Sequence, residues 1–400
     1  MRLASLDETL VLLSCGTMRF ALFLVLMLGF QAATGQTAKQ AGSADVDAVM
    51  RAGVAAQRKG DNRAAIEDFQ KALALRPDLV EARIALGAAL AATGQFDAAI
   101  EEDKRALAAV QDNASVRDGA AIRMNLAMAY YKKGDVAEAR EQLETLHAAV
   151  PSDVPAAVLL GYVYIKLGRE AEVVDLLAPL EAGHESNTDL EYVLAFSLIQ
   201  SGKEAEGVPR MEKVAQATHS ASAWVIAGAD HLHREQMPEA RIDLDEAMKL
   251  DPSIPGLATM AGQARYAMND MASSAAAFQT ALRQNPRDFN ANLELGAIRL
   301  KEQDVADARP LLELALELNP TFPLARLEVA KLDETTGRYA EAAATLEELV
   351  KAEPTWVDAH WELAAAYVEL NRPEDGKRER MIAAQLRAEQ LAKAAGTKQP

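Results

Sequence analysis

The 400-residue chain has a single cysteine, Cys15, near its N-terminus. Neither a disulfide framework nor a thiolate zinc site can be built from one thiol. Aromatic residues make up only 5% of the chain, and β-branched residues are sparse beside Ala, Leu and Glu. That bias favours helix over sheet. Positive charge is also short: 42 Lys and Arg face 59 Asp and Glu, a formal net charge of −17. Nucleic-acid binders need Lys and Arg to displace counterions from phosphates, so a nucleic-acid partner is disfavoured. An anionic membrane surface is disfavoured on the same ground. The acidic excess reads either as a well-solvated helix surface or as one selected for basic partners. Apolar residues are not lacking: at 50% of the chain they are ample for a buried core.

The N-terminus reads as an address. Met18-Arg19 precedes an apolar run from Phe20 to Phe30, then the small and polar residues Gln31 to Gln36. These are the parts of a secretory signal peptide, with Ala33 and Gly35 placed for a cut before Gln36. Asp7 and Glu8 do not suit a positive leader, so residues 1–17 read as an upstream extension and Met18 as the start. Two alternatives stand beside this. Leu12-Leu13-Ser14-Cys15 loosely resembles a lipoprotein acylation site, and the apolar run could remain as a membrane anchor, although eleven residues are too few to span hydrocarbon comfortably. The expected location is exported, periplasmic or secreted, with no membrane span in the mature chain.

The main signal is a period. Pro252, Pro286, Pro320 and Pro354 are evenly spaced, at an interval of about 34 residues that is typical of stacked supersecondary units. Placing each of these prolines at register position 32 defines position 1, and the rest of the chain then falls into line. Position 8 is small throughout: Gly53, Gly87, Ala127, Gly161, Ala195, Gly228, Gly262, Gly296, Ala330 and Ala364. Position 15 carries the helix-ending glycines Gly60, Gly94, Gly134, Gly168, Gly202 and Gly337. Position 20 carries Ala65, Ala99, Ala139, Ala240, Ala308 and Ala342; position 24 carries Phe69, Leu143, Leu177, Met211, Leu244, Phe278, Leu312 and Leu346. Pro77 and Pro151 join the four prolines at position 32, where proline stops a second helix.

This pattern resembles the tetratricopeptide repeat family over about residues 46–390. The resemblance implies an all-α, right-handed superhelical solenoid of about ten antiparallel helix pairs. Repeats begin near Val46, Val80, Ala120, Val154, Thr188, Ala221, Pro255, Phe289, Pro323 and Val357. The implied organisation is an extension and leader at 1–35, a linker at 36–45, the solenoid at 46–370, and a capping helix and tail at 371–400. The last segment holds seven Lys and Arg against four Asp and Glu, a polar terminal element of the kind solenoids need. Departures from the pattern predict local distortion. Six extra residues, 114–119, separate the second and third repeats. Asp103 stands where a large apolar residue belongs. Pro179, Pro209 and Pro310 fall inside second helices.

The repeats leave no room for a catalytic domain, and no motif asks for one. There is no phosphate-binding glycine loop and no paired-histidine metalloprotease helix, so neither a cofactor nor a metal is expected. His231 and His233 lie two helical positions apart and point away from each other; His231 reads as a buried, hydrogen-bonded side chain. Glu101, Glu102 and Asp103 read as a solvated face with one misfit acid, and the other acids as exterior charge.

In this family the first helix of each pair lines the inner face, chiefly through positions 2, 5, 9, 12 and 13. The candidate partner-binding residues there are Met124, Met128, Tyr131, Tyr162, Ile165, Tyr192 and Phe196. Met128, Tyr162 and Phe196 at position 9 are unusual, because that position is ordinarily smaller and polar. The stripe is either a partly exposed surface for an amphipathic helix or extended peptide, or packing between neighbouring first helices. It lacks the Lys and Asn of the clamp that holds acidic C-termini. The expected function is an exported, non-catalytic scaffold or adaptor for protein or peptide partners. Alternatives are a glycan- or small-molecule-binding solenoid, and a regulatory subunit of a separate enzyme in envelope assembly or polysaccharide export. Nothing in the sequence sets the oligomeric state. Expressed with its leader, the protein is expected to begin at or near Gln36; mass spectrometry that finds Phe20–Phe30 intact would instead identify an anchor.

Overall fold

The computed structural model describes residues 40–110 and 116–396. The upstream extension, the leader with its cleavage site, positions 36–39 of the linker, positions 114 and 115 of the insertion, and positions 397–400 of the tail lie outside the described residues. The described residues form twenty α-helices and no strand, an all-α solenoid of ten antiparallel pairs. The pairs are α1 (Gln40–Arg58) with α2 (Asn62–Leu75), α3 (Val80–Ala92) with α4 (Phe96–Val110), α5 (Val116–Lys133) with α6 (Val136–Ala149), α7 (Val154–Lys166) with α8 (Glu170–Leu177), and α9 (Thr188–Gln200) with α10 (Glu204–Thr218). They continue with α11 (Ala221–His233) and α12 (Met237–Leu250), α13 (Leu257–Ala267) and α14 (Met271–Gln284), α15 (Phe289–Lys301) and α16 (Val305–Leu318), α17 (Pro323–Thr335) and α18 (Tyr339–Ala352), and α19 (Val357–Glu369) and α20 (Pro373–Gly396). No described helix is long and apolar enough to cross a membrane. The chain divides into two compact units, Met1–Ile226 and Ala227–Pro400.

The small residues at position 8 have a direct cause. A Cβ built on Gly262 would lie 2.5 Å from Cε1 of Phe278, and one on Gly53 would lie 2.6 Å from Cε1 of Phe69. Gly228 meets Leu244, and Gly296 meets Leu312, in the same way. Position 8 of each first helix therefore receives position 24 of its own second helix, and the eight large apolar residues at position 24 are completely buried. The left-handed turn at position 15 persists even where glycine is absent, at Glu235, Asn269, Gln303 and Asn371. The position-32 prolines each fall just past the end of a second helix.

Polar ties recur at fixed register. Within a repeat, position 4 reaches position 23: Arg83 to Glu102 (2.8 Å), Arg123 to Gln142 (2.8 Å), Arg210 to Glu191 (3.2 Å), and His360 paired with Glu379 (2.6 Å). Between neighbours, position 25 meets position 11 of the next repeat. Tyr164 donates to Glu144 and Tyr367 to Glu347, and Arg265 pairs with Asp245. Arg169 and Arg372 stack on the two tyrosine rings, 4.5 and 4.1 Å from their centroids.

The three interior prolines act differently. Pro179 ends α8 early, in the short 3-10 turn Ala178–Leu180. Pro209 and Pro310 lie near the starts of α10 and α16, which run on past them. At the end of the chain, Gly376 of α20 lies so close to α19 that a Cβ would be 2.9 Å from the Ala364 carbonyl. Arg380, at position 24 of this last pair, is exposed. Gly262→Ala is predicted to destabilise the protein by about 1–3 kcal/mol, because the buried Phe278 ring has to move to admit the methyl group; urea denaturation measures the loss.

Candidate functional site

The inner stripe of the first unit is only partly accessible. Tyr131, Tyr162, Tyr192 and Phe196 are buried, with Tyr162 and Phe196 each 3% exposed. Met124, Met128 and Ile165 are half-buried. Of the two readings of position 9, Met128 fits a partly exposed row, and Tyr162 and Phe196 fit packing between neighbouring first helices. The reason is helix composition: α7 from Ala156 to Tyr164, and α9 from Leu190 to Ile199, are buried at every residue. These helices are buried around their whole circumference rather than along one stripe, with Glu191 and Ser197 as the polar residues enclosed in α9.

The second unit differs. Glu294, Glu328 and Glu362 stand one full repeat apart, at register position 6 of α15, α17 and α19. Position 6 borders positions 2 and 9 on a helix surface, so the glutamates adjoin the inner stripe. Glu328 is buried and accepts a hydrogen bond from Lys331 Nζ at 2.8 Å; Glu294 and Glu362 are half-buried. Burial, reinforced by the Glu328 charge, pushes the Glu294 carboxyl up to about 7. Burial and the neighbouring Glu362 push Glu334, at position 12 of α17, up to about 8. Burial also raises Glu362 against the pull of Lys331. Tyr266 of α13 lies in the field of Glu294, Glu328 and Lys331. Lys331 thus serves three of these carboxylates, Glu328, Glu334 and Glu362, in a half-dry environment. The sequence reading placed such acids on the exterior. The signal that marks these three was present, since they repeat with the same period as the prolines.

His231 is buried, with Nδ1 2.8 Å from Asp243 Oδ2, the hydrogen-bonded role expected of it. Asp103, the misfit acid of its helix, is also buried.

Comparison with known proteins places this geometry. Models described as tetratricopeptide repeat match residues 88–247, 259–323 and 299–367, and a model described as TPR repeat matches 58–94. Among solved structures, the chain is similar to a tetratricopeptide repeat protein from Parabacteroides merdae ATCC 43184 (16% identity, 63% of this chain and 98% of that one, TM-score 0.47). It is also similar to YrrB, titled a TPR protein with an unusual peptide-binding site (19%, 47% and 98%, TM-score 0.39), and to the APC/C hetero-tetramer Cut9-Hcn1 (14%, 85% and 87%, TM-score 0.42). No curated protein matches the chain in sequence. The burial in the first unit yields a test: Tyr162→Ala and Phe196→Ala are each predicted to cost roughly 3–5 kcal/mol through the cavities they leave, and Met128→Ala less than half of that. Thermal melts of the three single variants rank them.

Proposed function

This chain belongs to the tetratricopeptide repeat family, and from that premise we propose that it is an exported, non-catalytic scaffold that binds protein partners through its first-helix faces, its second unit accepting a basic segment. The observation that carries the partner's charge is the ladder of Glu294, Glu328 and Glu362 with Lys331 as its lysine. Stacking like charges at successive positions destabilises a free solenoid. A Lys- or Arg-bearing segment laid along the ladder would relieve that repulsion and form charge-assisted hydrogen bonds with carboxylates already withdrawn from bulk water. The half-buried Met124, Met128 and Ile165 of the first unit offer a more adaptable apolar contact. Export is supported by the leader-like pattern from Met18 to Gln36.

The pH dependence follows from the raised carboxyls. Glu294 and Glu334 gain charge as pH rises through about 7 and 8, so a cationic peptide is predicted to bind more tightly at pH 8.5 than at pH 6. Isothermal titration with a Lys/Arg-rich helical peptide is expected to show this rise, weakening with added salt, and a loss of about tenfold or more in the Glu328→Gln, Glu362→Gln double variant. Equal binding of a neutral peptide of the same shape would refute the charge-selected reading.

A further inference from the structure

Asp103 of α4 occupies the register position that holds Phe, Leu or Met in eight of the other repeats. It is 1% exposed, and neither carboxyl oxygen makes a well-formed hydrogen bond. Helix α3 turns Gly87 toward it so closely that a Cβ there would lie 2.5 Å from Oδ1. Helix α5 of the next repeat turns the Asn125 side chain toward it, which eases its ionised form only in part. The charged group that bears on it among the described residues is Glu102 of its own helix, a carboxylate already held by Arg83 and Arg105. No cation faces Asp103 from either neighbouring helix among the described residues. A bare carboxylate in such a place has no compensation for its lost water.

We propose that Asp103 is a proton-gated latch at the junction of the second and third repeats: neutral, it lets α3, α4 and α5 close on one another, and ionised, it drives them apart until water reaches it. The remaining repeats carry no equivalent acid at this position, so opening is confined to this junction. Burial pushes the carboxyl up to about 8, against roughly 3.9 in an unfolded chain. Between those values the closed state holds one proton more than the open one. Closure is therefore favoured at low pH and lost as pH rises toward about 8.

Hydrogen exchange of the full chain, followed by mass spectrometry and corrected for intrinsic rates, tests this between pH 5.5 and 8. Opening of α3, α4 and α5 is expected to increase up to about tenfold per pH unit relative to α6 and α7. Asp103→Asn keeps the shape without the charge and is expected to flatten that dependence. Asp103→Leu, which restores the usual residue type, is expected to flatten it and slow opening at pH 8. If the wild-type junction shows no excess dependence over α6 and α7, or if the dependence survives in either variant, the latch does not exist.

Discussion

Each repeat depends on one close approach. A large apolar side chain at position 24 of the second helix lies on a residue with little or no side chain at position 8 of the first. Where that residue is glycine, as at Gly262 under Phe278, the backbone itself is the contact surface. This brings the two helices near enough for their small residues at position 20 to be fully buried as well. A repeat with a bulkier residue at position 8 could not close, and its neighbours would lose the face on which they stack. The only acid at position 24, Asp103, keeps the geometry of the contact through Gly87 and sacrifices its chemistry.

The polar ties work on a second level. The position 4 to 23 and 25 to 11 pairs join buried and half-buried groups, and their value lies in register more than in net stability, since desolvation offsets much of the attraction of a buried ion pair. They allow a chain this rich in Ala and Leu to have one alignment of its helices instead of several related by a turn. The same logic makes the glutamate ladder conspicuous. Glu328 has its lysine and Glu362 feels the pull of the same lysine, whereas Glu294 has burial and the Glu328 charge against it. A surface built only for stability would not arrange three carboxylates in line.

The two units use the same register for different surfaces. In the first, α7 and α9 are enclosed all round, so their aromatic residues at positions 9 and 5 belong to packing. In the second, α15, α17 and α19 keep charged groups beside the inner stripe. The alternation of small and large residues that builds the fold leaves positions 2, 6, 9 and 12 comparatively free, and it is there that the units diverge.

The sequence by itself determined the helix pairs, their number and their register, because the constraints at positions 8, 15, 20, 24 and 32 are local to one pair and recur in repeat after repeat. It also marked Asp103 as a misfit and His231 as a buried, hydrogen-bonded side chain. The burial of Tyr162 and Phe196 was not legible: a register position specifies which way a residue points, while its exposure depends on everything stacked around the helix. The ladder was half legible. Its period stood in the sequence, but only the tertiary structure decided that Glu294, Glu328 and Glu362 are drawn out of water, with Lys331 serving Glu328 and Glu362, because burial and charge coupling are set by neighbours a full repeat away in the chain and one helix away in space.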